Sequence, residues 1–349
     1  MIWLTWRQFR GSAAMMAAVL VVLTAVLALT GPGLATDYSA GIADCAPDNT
    51  CDRFYDRFFD EYQTPFMAVS LVVLLLPALA GLFWGAPLIT RELEASTHLL
   101  VWNQSVTRGR WLAVKLGLMG LTAVAAAGLC GLAVTWWSDP LDKSAAAGFG
   151  LMAPLVFGAR GIAPMGYAAF AFVLGVTVGM LVRRTLPAMA LTLAVFAAIQ
   201  LAMPLLVRPH LSTPVTATFE LGKGNVEHLG IPPNGSGPAQ IMLSPVVPGD
   251  TGAWLLSTEL LDPSGRAVAG GNEEAAIPVS TTSGPCGPQG AQRMDGCMAE
   301  INRLGYRQLA TYHPLDRFWP FQWIETGLYA LLTLGLTWLS FWWIRRRLS

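Results

Sequence analysis

Glu325, Gln322 and Gln200 lie inside otherwise apolar runs of a 349-residue chain. A carboxylate or carboxamide at such a position is costly in hydrocarbon, and it commonly lines a pathway or pairs with another polar group. Glu325 and Gln322 stand at the start of the run from 321 to 344, and Gln200 stands late in the run from 186 to 207. All three are candidates for lining a pathway. For Glu325 the alternative is a merely wet position at the membrane interface. A second carboxylate set is Asp52, Asp56 and Asp60, spaced every four residues with Arg53 and Arg57 between them. A calcium or substrate site is one reading of this set. A solvated helix with Arg53–Asp56 and Arg57–Glu61 pairs is the simpler expectation.

The remaining reactive residue types are sparse. Cys45 and Cys51 share one polar segment, Cys286 and Cys297 share another, and Cys130 lies in an apolar run. If both segments face an oxidising space, the four polar-segment cysteines favour disulfides. Three connectivities are open; the local pairs Cys45–Cys51 and Cys286–Cys297 are the simplest, and free thiols are the alternative. His210, His228 and His313 do not fall into a ligand spacing with these cysteines, so no metal is expected. The chain has no GxxxxGK[ST], HExxH or GxSxG pattern. Lys223 sits between two glycines in LGKGN, which reads as a turn. With no recognisable nucleophile–base set, an integral-membrane enzyme is the weakest of three function classes.

The most chemically dense stretch is TRELEASTHLLVWNQSVTRGRWLAVK, residues 90 to 115. Burying Arg91, Arg108, Arg110 and Lys115 in hydrocarbon would cost ~2.5–3.5 kcal/mol each, on the order of 10 kcal/mol together. The segment therefore lies in water. Thr90 can cap a helix whose first turn holds Glu92 and Glu94, where the helix dipole favours acids. Leu93, Thr97, Leu100 and Val101 then form one stripe and Arg91, Glu94 and His98 the next. NQSVTRGR breaks the pattern. An amphipathic helix over residues 90–109 suits docking on a cytoplasmic partner; an ordinary interfacial loop is the alternative.

The elements that position these residues are membrane spans. The chain is 54% hydrophobic and 13% charged with mean hydropathy +0.49, whereas a soluble domain carries about 25% charged residues. Its solvent is the lipid bilayer. The formal net charge is zero, which gives no ground for a nucleic-acid partner. A spanning helix needs roughly 20 apolar residues. Six runs qualify, near 13–34, 66–88, 111–137, 162–182, 186–207 and 321–344. They are continuous rather than alternating, so helices are expected and a barrel is not. Gly148 to Phe157 is apolar but too short to span, and fits the outer membrane face or a partial re-entry.

Orientation follows from the basic flanks. Arg7 and Arg10, then Arg91, Arg108, Arg110 and Lys115, then Arg183 and Arg184, then Arg345, Arg346 and Arg347 all fall on one side of six alternating spans. Both termini are expected in the cytoplasm. Of the acids only Glu92 and Glu94 join them there, while Asp37, Asp44, Asp48, Asp52, Asp56, Asp60 and Glu61 crowd the first outer loop. The run from Ala13 to Thr30 exceeds the ~7–15 residues of a signal-peptide core, so residues 1–12 are read as an amphipathic helix on the inner membrane surface, with simple flanking anchors of the first span as the alternative. Trp3, Trp6 and Phe9 would form its aromatic side. Spans one to five occupy 13–207. Residues 208–320 form an extracytoplasmic α+β domain, and 321–349 form span six with a basic cytoplasmic tail. In the outer domain PPNGSG, LDPSGR and AGGN mark turns. AQIMLSPVV, AWLLSTELL and AAIPVSTT read as strands, and Met294 to Arg307 reads as one helix. The fold class is thus an all-α polytopic membrane protein with a small outer domain between spans five and six.

The stretch after span two resembles the intracellular loop of type-2 ATP-binding-cassette (ABC) transporter permeases. The resemblance is carried by Arg91-Glu92, Ser96-Thr97, Leu99-Leu100, Ser105-Val106-Thr107-Arg108 and Lys115. MIWLTWRQFR is similar to that family's N-terminal interfacial helix. RRTLPAMA at 183–190 and RFWPFQWIET at 317–326 resemble a bacterial subgroup. The chain departs from the pattern in having Ser96 where glycine is common, and in its long outer segment before the last span. The resemblance implies a bacterial plasma-membrane permease subunit. A separate cytoplasmic ATPase would dock on residues 90–109, with Arg91, Glu92, Glu94, Thr97, His98 and Arg108 as the candidate coupling residues. ATP and Mg would bind on that partner, and no cofactor on this chain. Two permease copies would pair, as a homodimer, and an amphiphilic compound would be exported. The alternative class is a signalling or mechanotransmitting protein that acts through the outer domain without passing a substrate.

Overall fold

The structure is a computed structural model that describes residues 2–46, 51–95, 107–145, 148–230, 238–271, 273–287 and 294–346. Among these, six helices are long and apolar enough to cross a membrane: Met16–Cys45, Arg53–Glu94, Arg108–Trp137, Ala163–Val182, Thr185–His210 and Leu315–Arg346. The first belongs to a helix that runs unbroken over Ile2–Cys45, so residues 2–10 are helical and continuous with span one.

The second span is built in three pieces. Helix Cys51–Leu79 passes through a wide π turn at Ala80–Gly85 into helix Ala86–Glu94. Pro87 has no N–H to return to the turn before it, and the wide turn lies directly upstream. This arrangement corrects the reading of Thr90 as a helix cap. Thr90 is buried inside a helix that continues from span two, and its hydroxyl donates to Ala86 O at 3.0 Å. Glu92 and Glu94 accordingly lie in the last turn of that helix, not the first. Residues 96–106, including Thr97, His98, Leu100 and Val101, lie outside the described residues.

Span four is the axis of the bundle. It touches spans two, three, five and six and is buried on nearly all faces. Glycine makes this possible. A Cβ on Gly81 would stand 2.6 Å from Ala171 O, one on Gly85 2.4 Å from Phe172 O, and one on Gly175 2.4 Å from Gly81 O. Gly81/Gly85 and Gly175/Gly179 are two small-xxx-small pairs facing each other, the packing that stands in for a hydrophobic drive within lipid. Span four stops at Arg183, whose φ of 58° is left-handed, and span five starts at Thr185. Between spans three and four lie two short helices, Asp139–Lys143 and Pro154–Gly158. Met152, Phe157 and Arg160, in and beside the second of them, are wholly buried.

Beyond span five the described residues form seven strands: β1 Val215–Phe219, β2 Val226–Gly230, β3 Ala239–Leu243, β4 Trp254–Leu261, β5 Ala267–Gly270, β6 Ala275–Ile277 and β7 Arg307–His313. They make a four-stranded sheet, β1-β7-β4-β5, and a three-stranded sheet, β2-β3-β6. Their pairing is antiparallel throughout. Three strands coincide with the runs read from sequence. The helix, however, covers Met294–Arg303 and stops short of Arg307. Gly305 at φ +97° receives the chain, and Tyr306 N reaches back to Ile301 O. This left-handed glycine cap closes the helix and frees Arg307–His313 to become a central strand. The structure joins Cys45 to Cys51 and Cys286 to Cys297, while Cys130 is free and buried.

Candidate functional site

Two groups of polar side chains bind the helices together, one at each end of the bundle. At the end that carries the arginine-rich flanks, Lys115 of span three is buried beside Glu92, Nζ to Oε1 2.5 Å. The ammonium also lies 4.4 Å over the Trp111 ring and 3.5 Å from Leu88 O. Glu94 is exposed, yet it accepts from Thr185 N and from Thr185 Oγ1, both at 2.8 Å. A carboxylate there caps the start of span five, where orphan amides and the helix dipole favour a negative group. Thr90 and Thr185 hydroxyl oxygens are 2.9 Å apart. The last turn of span two is therefore tied to span three through Glu92 and to span five through Glu94. Arg91 is exposed, and Arg108 is half-buried at the start of span three, which Thr107 caps toward Arg110 N at 3.4 Å. Of the residues named as a coupling surface, Thr97 and His98 are not among those described.

The second group lies at the opposite end. Glu325 is wholly buried, which overturns the reading of it as a wet interfacial acid. Arg208 holds it with two parallel bonds, Nε to Oε2 2.8 Å and Nη2 to Oε1 2.9 Å. Such bidentate guanidinium–carboxylate geometry is the strong form of an ion pair. Tyr167 OH donates to Glu325, and Tyr329 OH donates to Gln200. The guanidinium stacks 4.1 Å over Phe157 and donates to Pro154 O at 3.4 Å. One turn earlier, Gln322 Oε1 accepts from Ile162 N at 3.0 Å and Ala163 N at 2.7 Å, and its Nε2 donates to Phe157 O at 3.1 Å. Gln322 thus caps span four. The three polar residues singled out from sequence all belong to one end of the bundle. They join spans four, five and six to one another and to the short helix Pro154–Gly158.

Two members of this region escape a sequence reading. By sequence Arg208 begins the domain between spans five and six, and Arg160 flanks a loop. Arg160 is wholly buried, stacks 4.9 Å over Phe66, donates to Ser70 Oγ at 3.3 Å and lies 3.8 Å from Asp142. The available signal was their side. In an arginine-sorted topology both stand on the outer face, where an arginine between apolar residues (FGARGI, LLVRPH) is out of place.

Glu325 accepts from three donors, two on Arg208 and one on Tyr167. The four-stranded sheet is anchored to the same place. Met152 N donates to Gly252 O at 3.0 Å, Leu315 N to Asp250 Oδ2 at 3.1 Å, and His313 lies against Pro209 O at 3.2 Å. A cavity of about 210 Å³ opens beside this seam, lined by Gly150, Pro154, Val246, Asp250 and Trp254 among others. The Asp52, Asp56 and Asp60 set is on a helix, as its spacing requires. Among the described residues no group of His, Cys, Asp and Glu is arranged to hold a metal.

Residues 17–208 match a family model described as ABC-2 membrane transporter related. No curated protein and no solved structure gives a significant match.

Proposed function

For a chain that belongs to the ABC-2 membrane transporter related family, we propose the role of the permease subunit of an ATP-driven exporter. A separate cytoplasmic ATPase, carrying ATP and Mg, docks on residues 90–109. Two permease copies pair, and an amphiphilic compound leaves the bacterial cytoplasm or inner leaflet along them. Both termini are cytoplasmic, and residues 208–320 lie outside the plasma membrane.

The observation that carries this reading is the double tie at the end of span two. Glu92 grips Lys115 and Glu94 caps Thr185. A push on the loop is felt at once by spans two, three and five. Span two presses on span four through backbone contacts at Gly81 and Gly85, where side chains cannot yield. Span four is held to span six by Gln322 and by the Tyr167–Glu325 bond. A displacement at the loop thus has a path of close contacts to the outer end.

One observation favours the second reading, mechanotransmission to an envelope partner. The outer domain is rooted in the spans by the buried Arg208–Glu325 pair and by the Met152 and Leu315 bonds, so it moves with them.

Arg91→Glu and Glu94→Arg test the docking. Both should leave membrane yield near wild type while copurified ATPase and permease-stimulated ATP hydrolysis fall together. Thr185→Val removes one of Glu94's partners without touching the loop surface, and it should retain the ATPase. Glu273→Arg in the outer domain is the control. Normal copurification and activity of both charge-reversal variants would sink the proposal. Substrate flux in vesicles then separates export from mechanotransmission.

A further inference from the structure

We propose that the cytoplasmic ends of spans three and six form a site for the phosphate headgroup of an anionic phospholipid, walled by Arg110, Arg345 and Arg346. The two helix ends meet at Gly109, where Arg345 Nη2 lies 3.9 Å from the position a Cβ would take. The missing side chain lets the guanidinium lie across the start of span three. Arg110, Arg345 and Arg346 are exposed there. Span three starts beside it at Arg108, and a helix start favours an anion.

The charge balance of this face calls for one. Its segments hold eleven basic residues, from Arg7 to Arg347, and two acids, Glu92 and Glu94. Both carboxylates are bound within the chain, Glu92 by Lys115 and Glu94 by Thr185. The bases of this face exceed its acids by nine, 11 − 2, and that excess draws an anion to the exposed arginines of spans three and six. The setting selects a lipid over a soluble anion. Trp342 lies 5.7 Å beneath the Arg346 guanidinium, and Trp338, one turn deeper, is 69% exposed. Tryptophans at this depth mark the headgroup belt, and span six leaves most of its length open. Basic pockets between helices on the cytoplasmic side suit acidic headgroups.

The test uses the full chain purified in detergent, so it does not depend on the assignment of leaflets. Phosphatidylglycerol and phosphatidylcholine are offered together, and bound lipid is counted by native mass spectrometry. Wild type should retain phosphatidylglycerol preferentially. Arg110→Gln/Arg345→Gln should lower that retention by about tenfold or more. Arg110→Lys/Arg345→Lys should keep most of it, which guards against a folding defect in the first variant. Arg183→Gln/Arg184→Gln removes the same charge elsewhere on this face and should change little. Equal losses in the Arg183/Arg184 and Arg110/Arg345 glutamine variants would reduce the effect to net charge and overturn the site. Displacement of the lipid by inorganic phosphate would overturn the lipid assignment. Unchanged retention alongside lost copurification of an ATPase would give the surface to that protein instead.

Discussion

Arg208 and Glu325 are both buried and hold each other through two bonds below 3 Å. Taking two charges out of water is expensive, and the pair survives because guanidinium, carboxylate and Tyr167 satisfy one another. Removing one partner leaves the other charge stranded. Glu325→Gln or Arg208→Gln should therefore destabilise the detergent-purified protein by ~3–5 kcal/mol. Arg208→Met with Glu325→Met should recover much of that loss in a thermal-unfolding assay. If the single variants melt like wild type, the pair does not root the outer domain. Glu325, Gln322 and Gln200 were legible in the sequence because polar residues interrupt apolar runs. Their partners were not. Arg208 and Tyr167 are contributed from 117 and 158 residues away, and pattern within one segment cannot reveal such pairings.

Elements were legible to the degree that one face or one run defines them. The six spans show in hydropathy because each is a continuous apolar run. The end of span two did not, because Thr90, Glu92 and Glu94 carry the composition of a helix start while the helix in fact arrives from upstream. What stops a cap from forming at Thr90 is packing, for its side chain is buried between Ala86 and Thr185. Strand β7 was hidden likewise, since Arg307 follows a helical pattern and only the turn at Gly305 cuts it off. The glycines of spans two and four are readable as paired small-xxx-small motifs, although their partnership is tertiary. A Gly175 Cβ would fall 2.4 Å from Gly81 O and 2.7 Å from Ala86 N, and backbone cannot rotate away. Gly175→Leu should lower stability by roughly 1–3 kcal/mol or more through overpacking. Gly335→Leu, at an open position on span six, should be tolerated. Equal melting of the two variants would contradict the backbone contact between spans two and four.

At the scale of the whole molecule, charge and mechanics share one axis. The arginine-rich end gathers the ties from span two to spans three and five, and the far end gathers the Arg208–Glu325 network and the two β-sheets. Family membership was legible in the loop motif and supported by the match over residues 17–208, whereas the outer domain carries no comparable motif, and its substrate or partner chemistry is read from no single stretch. The central claim is that a separate ATPase drives the molecule by gripping the loop after span two. Site-specific photo-cross-linking in intact cells tests it most directly, with the reactive group placed at His98 and, as control, at Ser264 in the outer domain. The expected result is an adduct from His98, and not from Ser264, whose partner is an ATP-binding-cassette ATPase by mass fingerprint, and whose yield drops in Arg91→Glu. An ATPase adduct from Ser264, or none from His98 while the protein is present at wild-type level in the membrane, would contradict it.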